Sequence, residues 1–491
     1  MHFSIQRGRP GPARAAICRI LSTALAAVVL GGGAGPLHAQ TVSAGLPPEV
    51  EAALARVHLP REALSVVVAD TQGGQGGLPR LGWRAQVPVN PASVMKLITT
   101  YAGLDLLGPA YTWATPVYFG GPVDTDGTLQ GDLVIRGQGD PQLVVERLWL
   151  LLRRVQAQGV RSIAGDIVID RSAFVLPPHD AASFDGEPSK PYNASPDALL
   201  LNFKSVTMGF VPDTAMGRVR VVYEPALADV RQPASVALAP PGTPCGDWRG
   251  GLRADLLDPA QVSFAGNYPA SCGEKLWPVA YADPDSYAAR AIAGMWHDLG
   301  GRLAGRVREG RVPAGLKPAF ASISPPLAEV VRSINKYSNN VMAQQLFLTL
   351  SLQARGTGSF EASRDIVAGW WRERFGALEQ PSLDNGAGLS REGRVTAQGL
   401  ARMLQAAWQS PLMPDLAASM PIAGVDGTLR RSQARGGAHL KTGSLRDVAA
   451  VAGYVDGAGG HRWVLVAIAN HPDAAAARPV FDALVNWAAR Q

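Results

Sequence analysis

The strand-forming runs of this 491-residue chain gather at its two ends, which limits the folds open to it. Near the start, residues 64–69 read Leu-Ser-Val-Val-Val-Ala; a Gly-rich connection at 72–77 leads to a second run near Leu81. Near the end, residues 439–442, 449–455 and 463–470 again read as strands. Helical periodicity marks 48–57, 287–299, 326–335, 340–353, 362–375, 397–409 and 478–490. Such a chain closes most simply by placing both ends in one antiparallel sheet backed by helices, an α+β plan with the first and last helices on one face. The length exceeds one ordinary hydrophobic core, so two or more domains are expected. Residues 110–284 differ in texture: short β-rich runs at 131–137, 165–170 and 219–222 alternate with Gly, Asp and Pro turns. They are expected to form one or two β-rich modules inserted into a domain made of 40–109 and 285–491.

The first 39 residues read as a secretory signal peptide. Arg7, Arg9, Arg14 and Arg19 give a basic start, Ile20 to Leu30 is apolar but too short to span a bilayer, and Leu37-His38-Ala39 offers a small-residue cleavage site. A periplasmic protein with at most peripheral membrane association is expected. Those four basic residues leave with the segment, and none of the 40 acidic ones, so the net charge falls from +6 to +2. No basic block remains to track phosphates, which excludes a nucleic-acid partner. Two cysteines remain, Cys245 and Cys272, and an exported chain favours a disulfide between them. The histidines show neither His-x-x-x-His nor Cys-x-x-Cys company, so no metal and no other cofactor is expected.

Three short motifs carry chemistry. Asn90-Pro91 predicts a helix start, with Asn90 as cap and Pro91 at the first position, running to Leu107 before Gly108-Pro109. Ser93 and Lys96 then lie one turn apart on one face, at an end whose free amides suit an oxyanion. Between Pro91 and Pro109 only Lys96 and Asp105 are charged. A lysine in such apolar surroundings loses its proton readily and can activate a serine without histidine. Ser338-Asn339-Asn340 offers a hydroxyl and an amide two residues apart, able to face one cleft; alternatively Ser338 merely caps the helix after it. Lys441-Thr442-Gly443, followed by Ser444, reads as a strand beside a cleft: Gly443 admits a close backbone, Lys441, Thr442 and Ser444 offer charge and donors to a carboxylate, and the Ser444 N–H is a second oxyanion donor. Ser333-Ile334-Asn335-Lys336 also matches Ser-x-x-Lys, so the first motif alone is not specific.

Their order, together with several longer segments, resembles the D-alanyl-D-alanine carboxypeptidase/endopeptidases of the peptidase S13 family, the class C low-molecular-mass penicillin-binding proteins of the penicillin-binding protein 4 type. The segments are Asn90-Pro-Ala-Ser-Val-Met-Lys96, Gly131-Asp-Leu-Val-Ile-Arg-Gly-Gln-Gly-Asp-Pro141, Pro191-Tyr-Asn-Ala194, Asn335-Lys-Tyr-Ser-Asn-Asn340, Ala423-Gly-Val-Asp-Gly-Thr-Leu429 and His439-Leu-Lys-Thr-Gly-Ser444. Asn385-Gly-Ala-Gly-Leu-Ser390 is close to a family loop in which Asp and Ser stand where this chain has Asn385 and Ala387. The resemblance implies a penicillin-binding transpeptidase/β-lactamase-like domain, an antiparallel sheet with helices on both sides, interrupted by a large insert. It implies Ser93 as nucleophile, Lys96 as base, Ser338 as proton relay, Asn340 on the substrate amide, Lys441 as electrostatic aid, and Thr442, Gly443 and Ser444 as substrate contacts. The implied partners are peptidoglycan stem peptides and β-lactam antibiotics. A secreted β-lactamase and a non-catalytic penicillin-recognising protein are the alternatives; the insert speaks against the first, the intact Ser93, Lys96 and Lys441 against the second.

Overall fold

The computed structural model describes residues 45–73 and 79–491; the expected signal peptide, 1–39, lies outside them. Both ends of the described chain enter one five-stranded antiparallel sheet, ordered Ala438–Leu445, Val448–Asp456, Arg462–Asn470, Leu64–Asp70, Leu81–Trp83. Alternation along Leu64–Asp70 sends Val67 and Ala69 to one core and Val66 and Val68 to the other. That is why Val66-Val67-Val68-Ala69 reads as an unbroken apolar run rather than an alternating one. Helices Pro48–Arg56 and Arg478–Ala489 cover the Val66 face, as expected. Helices Lys96–Leu107, Leu327–Tyr337, Asn340–Arg355, Phe360–Phe375 and Ala397–Trp408 cover the other.

The intervening chain builds two further main sheets. One is mixed: Val307–Glu309, Ile167–Asp170, Leu133–Arg136, Ala114–Phe119, Phe320–Ile323. The other is antiparallel: Ser235–Ala237, Arg218–Glu224, Ser205–Asp213, Lys275–Ala280. Cys245 and Cys272 are disulfide-bonded, beside a cluster in which Phe210 meets Trp248, Tyr268 and Trp277.

The expected insert boundary at 284 falls too early. Helix Tyr287–Asp298 buries Tyr287, Ala291, Ile292 and Trp296 with Ile135, Ile167 and Ile169 of the mixed sheet, and Phe320–Ile323 pairs with Ala114–Phe119. We therefore place the insert at 110–324. Helical periodicity showed that 287–299 had an apolar face, but not which core would receive it.

Candidate active site

Ser93 does not sit where a simple capped helix would place it. The Asn90 carboxamide oxygen accepts from the Ala92 N–H at 2.8 Å, Ala92 takes φ +47°, and Ala92–Met95 form a 3-10 turn. The α-helix begins only at Lys96. The turn still presents Ser93 at a helix N-terminus, with Lys96 three residues on.

Lys96 is fully buried, and its Nζ lies 2.8 Å from Ser93 Oγ, 2.6 Å from Asn340 Oδ1 and 2.6 Å from the Ala387 carbonyl. Two of these partners can only accept, whereas the serine hydroxyl can also donate. A neutral amine satisfies the set completely: it donates to Asn340 and Ala387 and receives the Ser93 proton on its lone pair. Burial, and then the positive charge of Lys441, hold the Lys96 pKa well below the ordinary lysine value. Proton inventory and electrostatics thus both favour the neutral amine.

Ser338, Asn339 and Asn340 form the joint between two helices. Ser338 ends Leu327–Tyr337 in the left-handed region, φ +58°, and Asn339 caps Asn340–Arg355 by accepting from the Met342 N–H at 3.0 Å. The capping role considered for Ser338 therefore falls to Asn339. Ser338 Oγ accepts instead from Lys441 Nζ at 2.8 Å, leaving its own O–H to donate elsewhere. Lys441 is also fully buried; it donates to the Thr442 carbonyl at 2.8 Å, and burial lowers its pKa to about 7.

The edge strand Ala438–Leu445 brings Lys441 in. On its outer side Leu440 N–H donates to the Pro421 carbonyl and Ala423 N–H to the Ala438 carbonyl, each at 2.9 Å. By the two-residue alternation of a strand, residues 442 and 444 turn their backbone groups to that same outer side. A Cβ on Gly443 would stand 2.5 Å from the Pro91 carbonyl and 3.2 Å from the Ser93 nitrogen, so only glycine lets this strand lie against the Ser93 turn. Thr442 Oγ1 donates to Thr428 Oγ1 at 2.7 Å, and the Ser444 side chain is exposed.

The structure thus brings Ser93, Lys96, Ser338, Asn340 and Lys441 together and lays Thr442, Gly443 and Ser444 alongside. It separates the competing match: Lys336 pairs with Asp426 at 2.8 Å and donates to the Met420 carbonyl, while Ser333 accepts from Gln142. Two participants escaped sequence reading, the carbonyls of Ala387 and of Tyr192, which accepts from Asn340 Nδ2 at 3.1 Å. Backbone atoms leave no residue-type signature. The nearest signal was glycine at 386 and 388, both at φ +72°, around Ala387. A Cβ on Gly388 would stand 2.0 Å from the Ala92 carbonyl. A groove of about 1270 Å³ runs beside the site between insert and helices; Tyr192, Gln344 and Ser390 line it, while Ser93 and Lys96 do not. Among the described residues, no group of three or more His, Cys, Asp or Glu is placed to hold a metal ion.

If Lys96 is the base for Ser93 and Lys441 the electrostatic aid, as the sequence leads one to expect, Lys96 has to be neutral and Lys441 charged. The rate of penicillin acylation is therefore expected to rise as Lys96 sheds its proton and to fall again as Lys441 loses its own, above about pH 7. Second-order acylation constants measured across pH test this; a rate that climbs steadily into the alkaline range would remove the requirement for a charged Lys441.

Comparison with known proteins supports the fold and the class of this site. The profile of the D-Ala-D-Ala carboxypeptidase 3 (S13) family matches residues 46–491. A D-alanyl-D-alanine carboxypeptidase from Actinomadura sp. is 29% identical over 478 residues, covering 92% of this chain and 86% of the relative. D-alanyl-D-alanine carboxypeptidase DacB of Haemophilus influenzae is 25% identical over 391 residues, covering 77% and 80%. The crystal structure of penicillin binding protein 4 from Haemophilus influenzae superposes with a TM-score of 0.69 at 22% identity, covering 89% of this chain and 99% of that one. The expected α+β, penicillin-binding/β-lactamase-like fold is the one observed.

Proposed function

The chain belongs to the D-Ala-D-Ala carboxypeptidase 3 (S13) family and is a serine-type peptidase, and from that premise we propose that it cuts peptidoglycan stem peptides through an acyl-enzyme on Ser93. The bonds cut are the terminal D-Ala-D-Ala amide, a D-Ala–diaminopimelate cross-link, or both. Penicillins acylate the same serine.

One observation carries the reading: the Lys96 amine lies between Ser93 Oγ and two pure acceptors, inside a buried pocket. Lys96 takes the Ser93 proton as Oγ attacks the D-Ala carbonyl. The Ser93 and Ser444 N–H groups receive the developing oxyanion. As the C–N bond breaks, the proton taken by Lys96 is relayed to the leaving amine through the Ser338 hydroxyl, which is polarised by Lys441 and gives one proton as it regains another, so Lys96 is neutral again for the attack of water. Ser444 and the Lys441 charge hold the terminal carboxylate, and Thr442 joins them by turning its hydroxyl from Thr428 to the substrate. Asn340 already engages Lys96 and Tyr192, so only the second N–H of its amide is left for the substrate. Water then hydrolyses the ester and frees Ser93.

We place the enzyme in the periplasm, delivered by the segment 1–39; among the described residues no helix is long and apolar enough to cross a membrane. Digestion of purified muropeptides followed by mass spectrometry tests the reading. Loss of the terminal D-Ala from pentapeptide stems, cleavage of cross-linked dimers, or both, is expected. Unchanged muropeptides after prolonged incubation with enzyme that binds penicillin covalently would contradict it.

A further inference from the structure

Asn340 is gripped from two sides by two different parts of the fold. Its Oδ1 accepts from Lys96 of the sheet-and-helix domain at 2.6 Å, and its Nδ2 donates to the carbonyl of Tyr192 in the insert at 3.1 Å. The Tyr192 carbonyl can only accept. An amide turned over would set its NH₂ against the Lys96 amine and its oxygen against that carbonyl. The insert therefore decides which end of Asn340 faces Lys96.

The segment that carries the Tyr192 carbonyl is in turn tied down on both sides of that residue. It lies in the 3-10 turn Pro191–Asn193. Asp185 accepts from the Tyr192 hydroxyl at 2.8 Å and from Asn193 Nδ2 at 2.7 Å. On the far side Gln345, fully buried on the helix that begins with Asn340, pairs both ways with the Asp197 backbone. The Asp197 N–H donates to Gln345 Oε1 at 3.0 Å, and Gln345 Nε2 donates to the Asp197 carbonyl at 2.8 Å. The Asp197 carboxylate takes the buried Lys204 at 3.0 Å, and Lys204 also donates to Ser195. Asn202, Phe203 and Lys204 sit at φ +39°, +56° and +52°. Three successive left-handed residues without glycine persist only where their surroundings over-determine them; Phe203 packs with Ala194, Leu200 and Val341. The acyl-transfer steps use none of this network.

We propose that the insert orients the catalytic amide: the Tyr192 carbonyl, locked in place through Gln345 and the Asp197–Lys204 pair, keeps the Asn340 oxygen on Lys96, and Gln345 is a positioning residue for acylation. The proposal rests on the reading of Lys96 as base. Gln345→Met keeps the side-chain volume and removes both hydrogen bonds; Gln345→Glu keeps the acceptor alone. With folding checked by circular dichroism, Gln345→Met is expected to slow acylation by fluorescent penicillin roughly tenfold to a hundredfold, the scale of a small misplacement at a reacting centre. Placed in an Asn340→Ala background, the same change should alter the rate less than about twofold, because the group through which Gln345 acts is gone. A purely structural role predicts equal losses in both backgrounds, which overturns the proposal, as does a folded Gln345→Met enzyme at the wild-type rate. Gln345→Glu makes the same test if the Met variant does not fold. A crystal structure of the unmutated protein decides without any variant: Asn340 bonded to the Tyr192 carbonyl supports the proposal, and an Asn340 amide beyond hydrogen-bond reach of it overturns it. Wild type that takes no penicillin defeats the acyl-transfer reading, and this proposal with it. A labelled wild type with an unaffected Gln345→Met variant defeats the positioning role alone.

Discussion

Ser93→Ala is expected to give a protein that melts close to wild type, takes up no fluorescent penicillin and releases no D-alanine. The Ser93 hydroxyl has one side-chain partner, Lys96. Its removal leaves the amine with Asn340 Oδ1 and the Ala387 carbonyl, both matched by the two N–H bonds of a neutral lysine. Little stability is at stake, but the acyl-enzyme cannot form. In serine peptidases, loss of the nucleophile costs on the order of 10⁶ in turnover. Gel labelling, D-alanine release and thermal melting of one preparation make the measurement. Labelling that persists would pass the nucleophile's role to another hydroxyl of the site, such as Ser338 or Ser444.

Lys96→Met should be almost as damaging, for a different reason. Methionine fills the same buried, linear space but has no lone-pair nitrogen to take the Ser93 proton. Among the described residues the other buried lysine of the site, Lys441, contacts Ser338 and the Thr442 carbonyl rather than Ser93. Acylation is expected to fall about 10²- to 10⁴-fold, the usual range for a lost general base. The fold should tolerate the change. Two buried acceptors lose a donor, at roughly 1–3 kcal/mol each, but a polar amine no longer has to be buried. Stopped-flow acylation with circular dichroism on the same samples tests this. Lys96→Arg should fail as well, because guanidinium never becomes neutral at working pH. Near-normal acylation by a folded Lys96→Met enzyme would assign the proton to another group.

The sheet and its helices were largely legible in the sequence, because both follow from local pattern. Leu64–Asp70 and Arg462–Asn470 are mainly apolar strands buried on both faces, and the terminal helices carry clear apolar stripes. What local pattern lacks is the partner. Helix Tyr287–Asp298 showed its stripe yet joined the insert, and strands such as Val307–Glu309 are three residues long with only partial burial, too little to register as period-two runs. The site followed the same division. Side chains with chemical identity, Ser93, Lys96, Ser338, Asn340 and Lys441, could be singled out by type and spacing, and the fold gathers them. The 3-10 turn at Ala92 was not, because Asn90-Pro91 fits a helix cap as well as the turn actually formed. The carbonyls of Tyr192 and Ala387 had no letter of their own to read.

The most direct test is to digest the penicillin-treated protein and map the adduct by tandem mass spectrometry. A single penicilloyl group on the peptide carrying Ser93, absent when Lys96→Met is treated for the same short time, is the predicted result. An adduct on any other residue, or none on a folded protein, would contradict a Ser93–Lys96 acyl-transfer centre.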